Sequence, residues 1–304
     1  MKVTDSLIDA NGYCVSTNAG SADNHGVIIE LLDSEFISNR SAGTAIILNV
    51  PGKLRMEDCT VDSQLQSVIV RGGTATLTRC TLTNVVPDED YFLNNRLDKD
   101  WGSGNDMPTG ALVIGNRGTS YQYPSNVTLV DTEINAVTDG SLTVYIYGNA
   151  TEELGAALTY QYTDSFAGEK LSSEKITIGG GYVTVNGVQA VVSAEQLQTA
   201  VNEGGNVVLF SDLEGDISVP AGVEIVIDLG GYQLNGSVVN NGTLTLQSAA
   251  EGGIEAPSDH AITNNGTLTI ESGIYDALAH GKAACVNYGT FTMNGGTLTR
   301  SQAK

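Results

Sequence analysis

Apolar and polar residues alternate along much of this chain in short segments that are separated by glycine-rich bends. The segment 240–246 reads Asn-Asn-Gly-Thr-Leu-Thr-Leu, and its last four residues follow the period of two that is typical of a strand with one buried face. Close copies of this segment stand at 264–270 and at 287–293. The pattern predicts short strands that recur along the chain at nearly constant spacing.

A repeat of this length cannot bury its apolar face alone, whereas successive copies stacked as coils bury a continuous core. Stacking places the first asparagine of each copy above the next, where the amides can hydrogen-bond at about 4.8 Å per coil. These asparagines are Asn240, Asn264 and Asn287. The alternative, that Asn-Gly only marks hairpin turns, explains less, because the copies also share the residues that follow.

The N-terminal part carries a different repeat, in which a charged residue is followed by a small residue, a variable one and an apolar one. It occurs in five segments: 4–8, 32–36, 57–61, 78–82 and 130–134. Strand alternation turns the small and apolar residues inward and the charged residues outward. We therefore expect Cys59 and Cys80 to be buried on adjacent coils as free thiols, and Asp33, Asp58 and Arg79 to face solvent.

One segment, 193–203, has the signals of an α-helix. Ser193 and Gln196 form a capping box, and Gly204 ends the segment. Its apolar face consists of Leu197, Ala200 and Val201. An amphipathic helix at this place can cover the exposed end of a solenoid, so we interpret it as the cap of a second set of coils.

These patterns together predict an all-β chain that forms a right-handed parallel β-helix (β-solenoid), with two modules in tandem and one short capping helix. Residues 1–150 form the first module, which has an insertion at 86–109. Residues 151–189 form a linker with a hairpin at 175–185, where three glycines separate two short apolar runs. Residues 190–304 form the second module, which starts with the helix and is truncated at its end.

Composition and charge narrow the classes of partner. The chain has 36 Gly against 6 Pro and a net charge of -21, which disfavours nucleic acid and anionic membrane surfaces as partners. It contains no apolar run long enough to span a membrane, so we expect no membrane insertion. The start of the chain lacks a signal peptide, and we expect it to be an internal piece of a larger secreted protein.

The segment 222–236, followed by the Asn-Asn-Gly-Thr-Leu-Thr copies, resembles β-helical modules of large adhesin-like surface proteins from anaerobic Gram-positive bacteria. The resemblance covers residues 190–300 and, more loosely, residues 1–150. It implies a pectate-lyase-like fold and an extracellular, cell-surface location. Fold alone does not imply a function.

The insertion at 86–109 is the leading candidate for a binding site, because long loops on a rigid scaffold concentrate function. It holds the only Trp of the chain among polar and acidic residues, a composition that suits stacking on a sugar ring or anchoring a protein. The candidate ligand-binding residues are Tyr91, Phe92, Arg96, Trp101, Asn105 and Tyr121. The alternative is a lid that packs on the solenoid. The acids of the insertion would suit Ca²⁺ but lack the spacing of a calcium loop; no other cofactor is expected.

Catalysis is the competing interpretation, because parallel β-helices also host polysaccharide lyases and hydrolases. Asp33 and Asp58, with Arg79 one coil on, are the candidate carboxylates, and the alternative is that they are solvated residues of a repeating strand. Ser258, Asp259 and His260 are consecutive, so they cannot form a triad, which is assembled in space. The four Cys match no zinc pattern.

The sequence therefore favours a non-catalytic extracellular binding module that contacts a host protein, such as mucin or immunoglobulin, or a glycan. A polysaccharide lyase or glycoside hydrolase and a structural spacer are the alternatives. No catalytic or metal-binding residue is assigned, and the sequence does not predict an oligomeric state.

Overall fold

A computed structural model describes residues 1–17, 26–39, 44–64, 66–84, 110–115, 123–136, 142–147, 156–169, 171, 176–178, 182–248 and 251–301. In these ranges the chain forms short parallel strands and a single α-helix, which confirms the all-β solenoid. The chain divides into two compact units, Met1–Gly187 and Val188–Lys304. The assignment of two tandem modules stays a prediction.

In the described residues the first unit has three sheets, and most coils contribute one strand to each sheet in turn. Sheet A contains β1 (Lys2–Thr4), β4 (Val27–Leu32), β7 (Gly52–Glu57), β10 (Gly73–Thr78), β13 (Ser125–Val130), β16 (Ala156–Gln161) and β18 (Tyr182–Val185). Sheet B contains β2 (Leu7–Ala10), β5 (Glu35–Ser38), β8 (Thr60–Ser63), β11 (Thr81–Asn84) and β14 (Glu133–Ala136). Sheet C contains β3 (Val15–Ser16), β6 (Thr44–Leu48), β9 (Gln66–Val70), β12 (Gly110–Gly115), β15 (Leu142–Tyr147) and β17 (Ile176–Ile178).

The second unit has the same plan. Sheet D contains β19 (Val188–Val191), β20 (Gly205–Leu209), β23 (Glu224–Asp228), β26 (Thr243–Gln247), β29 (Thr267–Ile270) and β32 (Thr290–Met293). Sheet E contains β21 (Leu213–Glu214), β24 (Gln233–Asn235), β27 (Gly253–Ala256), β30 (Ile274–Ala277) and β33 (Thr297–Thr299). Sheet F contains β22 (Ile217–Val219), β25 (Val238–Asn240), β28 (Ile262–Asn264) and β31 (Cys285–Asn287). The helix, α1, spans Ala194–Glu203.

The core of the first unit consists of apolar columns that run from coil to coil. One column on sheet A stacks Leu31, Met56, Leu77, Leu129 and Tyr160 in register, and all five side chains are fully buried. Burial of such a side chain stabilises the fold by about 1.5–3 kcal/mol. The period of two in the sequence therefore fixes which face of each strand lies inside.

The asparagine ladder predicted for the second unit is confirmed. The Nδ2 of Asn240 donates to the Oδ1 of Asn264 at 2.7 Å, and the Nδ2 of Asn264 donates to the Oδ1 of Asn287 at 2.6 Å. The glycine that follows each Asn pair is required by close approach, since a Cβ on Gly266 would lie 2.1 Å from the carbonyl oxygen of Gly242. Asn-Gly here marks a coil corner and not a hairpin.

The predicted capping helix is also confirmed. Ser193 Oγ accepts a hydrogen bond from the backbone N–H of Gln196 at 3.2 Å, and the apolar face of the helix packs on the core of the second unit. The amide of Gln198 forms two hydrogen bonds with the backbone of Ser218 in β22, at 2.8 and 2.9 Å. Gln198 thus hydrogen-bonds to the backbone N–H and C=O groups at the edge of β22, as a neighbouring strand would.

The hairpin predicted at 175–185 is wrong. β17 pairs with β15 in sheet C, whereas β18 pairs with β16 in sheet A, so the two runs belong to different sheets. The segment 151–189, predicted to be a linker, thus contributes three strands that pair in parallel within the first unit. The three glycines gave a local turn signal, but stacking on the previous coil decides the pairing.

Candidate functional site

The ligand-binding residues predicted in and near the insertion lie outside the described residues. This applies to Tyr91, Phe92, Arg96, Trp101, Asn105 and Tyr121, and to the acids considered for Ca²⁺. Their role stays a prediction. The described residues nevertheless contain other charged, thiol and hydroxyl groups that could have a function.

The charged residues of the N-terminal repeat occupy the corner between sheets A and B. The corner column, which we define as Asp5, Asp33, Asp58, Arg79, Asp131 and Asn186, has φ values between 46 and 52°. Asp and Asn tolerate this left-handed conformation better than most residues do. The backbone N–H of Asp58 donates to the carbonyl oxygen of Thr78 on the next coil at 3.0 Å. The backbone N–H of Arg79 donates in the same way to the carbonyl oxygen of Val130 at 2.9 Å. The repeat therefore marks a backbone corner, a role that the sequence pattern did not reveal.

Arg79 neutralises the carboxylates beside it. Its Nε lies 2.8 Å from the Oδ1 of Asp58, and its Nη2 lies 2.7 Å from both the Oδ2 of Asp58 and the Oε1 of Glu57. The hydrogen bond from Arg79 holds the pKa of Asp58 below its usual range. A general acid needs a raised pKa, so Asp58 does not suit that role. The exposed cluster supports the alternative that these carboxylates are solvated residues of a repeating strand.

Cys59 and Cys80 are buried free thiols on adjacent coils, as the sequence predicted. Cys80 Sγ donates to the carbonyl of Thr78 at 3.4 Å, and Ser34 Oγ makes the equivalent bond to Leu32 at 2.7 Å. The hydrogen bond with Cys59 and burial both raise the pKa of the Cys80 thiol. These thiols fill a structural column of small side chains.

The Ser258–His260 segment holds two loops together. Asp259 Oδ1 accepts from Lys282 Nζ at 2.7 Å, and His260 Nδ1 accepts from the backbone N–H of Ala283 at 2.8 Å. The bond from Lys282 lowers the pKa of Asp259. With its Nδ1 occupied by a backbone donor, His260 cannot be oriented by a carboxylate as in a triad. Across the described ranges, no group of three or more His, Cys, Asp or Glu residues could hold a metal ion.

Sheet D presents a regular array of threonines to solvent. The threonine face, as we name it, consists of two columns in register: Thr243, Thr267 and Thr290, and Thr245, Thr269 and Thr292. All six side chains are exposed or half-exposed, and none of their hydroxyls hydrogen-bonds to another described residue. In a parallel sheet, equivalent positions lie about 4.8 Å apart between neighbouring strands and about 6.6 Å apart for every second residue along a strand. The face is a grid of hydroxyl groups that are free to bind a ligand.

Sheet A carries a narrower array, with one column of threonines in place of two. Its threonine column consists of Thr76, Thr128, Thr159 and Thr184, which are in register on four successive strands. Sequence reasoning missed both arrays because outward threonines were treated only as the solvated side of a strand. Their recurrence at alternate positions, two residues apart within each repeat, was the available signal.

Comparison of the chain with protein-family models, with curated proteins and with solved structures gave no match. Among the described residues there is no helix with the length and apolar character needed to cross a membrane. The assignment of function therefore depends on the geometry of the described residues and on the resemblance in the repeats.

Proposed function

We propose that this protein is a non-catalytic, extracellular binding module of a bacterial adhesin-like surface protein, which contacts a host glycan or host protein. The observation that carries the proposal is the threonine face, a grid of free hydroxyls on a rigid parallel sheet. Binding groups that are fixed by regular strands lose little conformational entropy when a ligand binds.

Threonine suits a carbohydrate partner in two ways. Its hydroxyl both donates and accepts hydrogen bonds, and its methyl group can pack against the apolar face of a sugar ring. The six side chains of the threonine face carry no charge, although the chain has a net charge of -21. An acidic glycan, such as those on mucins, is repelled less by these uncharged side chains than by carboxylates elsewhere on the surface, and a neutral glycan is not repelled at all.

The insertion at 86–109 is a second proposed contact region. Trp101 is its proposed anchor, with Tyr91, Phe92 and Arg96 around it, and Asn105 and Tyr121 as further contacts. Aromatic anchors contribute strongly to binding of both proteins and glycans. The proposal assigns the threonine face and the insertion to the same function and leaves their relative contribution to experiment.

Support for non-catalytic binding over catalysis comes from the carboxylates. The carboxylate cluster with the best spacing, at Asp58, is exposed and paired with Arg79. A glycosidase requires one carboxyl group with a raised pKa to act as general acid, and the lowered pKa of Asp58 does not suit it for that role.

The test is a glycan array combined with pull-downs from mucin and serum, using the full chain. The double variant Thr267→Lys/Thr269→Lys should lose the ligand that the wild type binds. Thr263→Lys, on the outward side of β28 in sheet F, is the matched control and should retain it. Cleavage of any bound polysaccharide would support the enzymatic alternative, and no ligand in any screen would support the spacer.

A further inference from the structure

A seam of polar side chains runs inside the first unit, at the corner where sheet B leads into sheet C. It consists of Ser38, Ser63 and Asn84 at the ends of successive sheet B strands, together with Thr44 and Gln66 at the starts of sheet C strands. All five residues are 0–1% exposed. Elsewhere the inward-facing residues of these strands are mostly apolar. The seam is therefore an exception, in which polar side chains are buried.

Several polar side chains of the seam form hydrogen bonds with other groups of the chain. The hydroxyl of Ser38 donates to the carbonyl oxygen of Gly12 at 2.8 Å, and Thr44 Oγ1 donates to Gln66 Oε1 at 2.7 Å. Asn84 differs, because neither its Nδ2 nor its Oδ1 has a hydrogen-bond partner among the described residues. On its own coil, the facing strand β12 begins with Gly110, which brings no side chain to the corner.

A buried amide without partners is costly, at about 1–3 kcal/mol for each unsatisfied group. Buried polar groups in proteins are nearly always hydrogen-bonded, either to the chain or to an ordered water molecule. The Asn84 amide offers two donors and one acceptor, and no ionisable side chain belongs to the seam. The partner must therefore be small and neutral, and must both donate and accept hydrogen bonds.

We propose that the Asn84 corner is an internal binding site for a water molecule, which Asn84 holds with both atoms of its amide. The site lies at the last residue before the segment 85–109. Because the bound water satisfies a polar group inside the coil, it allows asparagine at a position where the two preceding coils have serine and the following coil has alanine.

The test is an NMR measurement of water-to-amide cross-relaxation on the full chain, with the asparagine side chains labelled. Asn264 is the matched control, because it is equally buried but bonded to Asn240 and Asn287. The Asn84 side-chain amide should show a long-lived water contact that the Asn264 amide lacks. Absence of a water contact at Asn84 would overturn the proposal.

A second measurement uses Asn84→Leu, which removes the polar atoms at similar volume. If the amide holds a water molecule, the substitution removes those hydrogen bonds and should lower the Tm. If the amide is unpaired in the folded protein, the substitution removes the free-energy cost of burying an unpaired polar group. The Tm should then rise, which would contradict the proposal. Asn84→Ser introduces the residue that Ser38 and Ser63 provide at the equivalent positions. This variant is expected to fold even if Asn84→Leu does not.

Discussion

The two units keep successive coils in register at their corners by different means. In the first unit, small side chains beside left-handed backbone residues bond to backbone carbonyls of the preceding coil, as Cys59 Sγ does to Leu31 at 3.3 Å and Thr132 Oγ1 does to Leu77 at 3.1 Å. In the second unit, the side chains of Asn240 and Asn264 bond to each other across coils. The first arrangement accepts any small donor, whereas the second requires asparagine on each of the three coils that share the ladder, and the coil before them has Val219 at the same position.

This difference explains why the two repeats look different in sequence. A corner held by bonds from a side chain to the backbone tolerates Ser, Cys or Thr, and it is found in a unit whose coils differ in length. A corner held by bonds between side chains fixes the residue type, so the three copies share asparagine at the ladder position and glycine two residues later. The prediction is that the second unit is more sensitive to single substitutions at its corners than the first.

The largest effect is expected for Asn264→Ala. The substitution removes three hydrogen bonds of the fully buried Asn264 amide, to Asn240, to Asn287 and to the carbonyl oxygen of Thr290, and a hydrogen bond contributes about 0.5–1.5 kcal/mol net. We expect a loss of about 3 kcal/mol in the free energy of unfolding, measured by urea titration. A loss below that of Cys80→Ser would contradict the comparison.

Gly266→Ala should have the next largest effect. The added Cβ would lie 2.1 Å from the carbonyl oxygen of Gly242, so the backbone of adjacent coils must separate. Overpacking of this kind costs about 2 kcal/mol. Thr267→Ala, on the outward face of the same corner, is the control and should change the free energy of unfolding by less than about 0.5 kcal/mol. Equal stability of the two variants would show that the coils are not packed closely there.

Cys80→Ser should be tolerated in the first unit. Ser34 already fills the same column with a hydroxyl that bonds to the carbonyl two residues earlier, so a serine at 80 can make the same bond. We expect a cost of less than about 1.5 kcal/mol, in line with substitutions that conserve volume. A cost as large as that of Asn264→Ala would mean that the thiol has a specific role.

The smallest effect concerns the pH dependence that Arg79 gives to Asp58. Because the pKa of Asp58 is lower in the folded chain than in the unfolded chain, the pair stabilises the fold above the ordinary Asp range and loses that effect as the pH falls through the folded pKa. Arg79→Gln should therefore be slightly less stable than wild type at pH 7, and the difference should vanish once the pH falls below the lowered pKa of Asp58. The difference should shrink in high salt, since the pair is exposed. A difference that grows on acidification would refute this.

Sequence reasoning recovered the features that depend on local periodicity. The Asn ladder, the helix with its cap at Ser193 and the burial of Cys59 and Cys80 all follow from spacing along the chain. It failed at 175–185, because pairing between distant strands overrode a local turn signal. It also missed Asn84, whose burial depends on which side chain faces it across the corner.

The central claim is that the threonine face binds a ligand, and the most direct test is the affinity of two variants for one ligand found by screening. We expect the double variant Thr267→Lys/Thr269→Lys to lose at least about tenfold in Kd, which corresponds to about 1.4 kcal/mol, at unchanged Tm. Trp101→Ala should weaken binding as well if the insertion contributes. Full affinity in the threonine variant would contradict the claim, and together with a loss in Trp101→Ala it would place the site in the insertion.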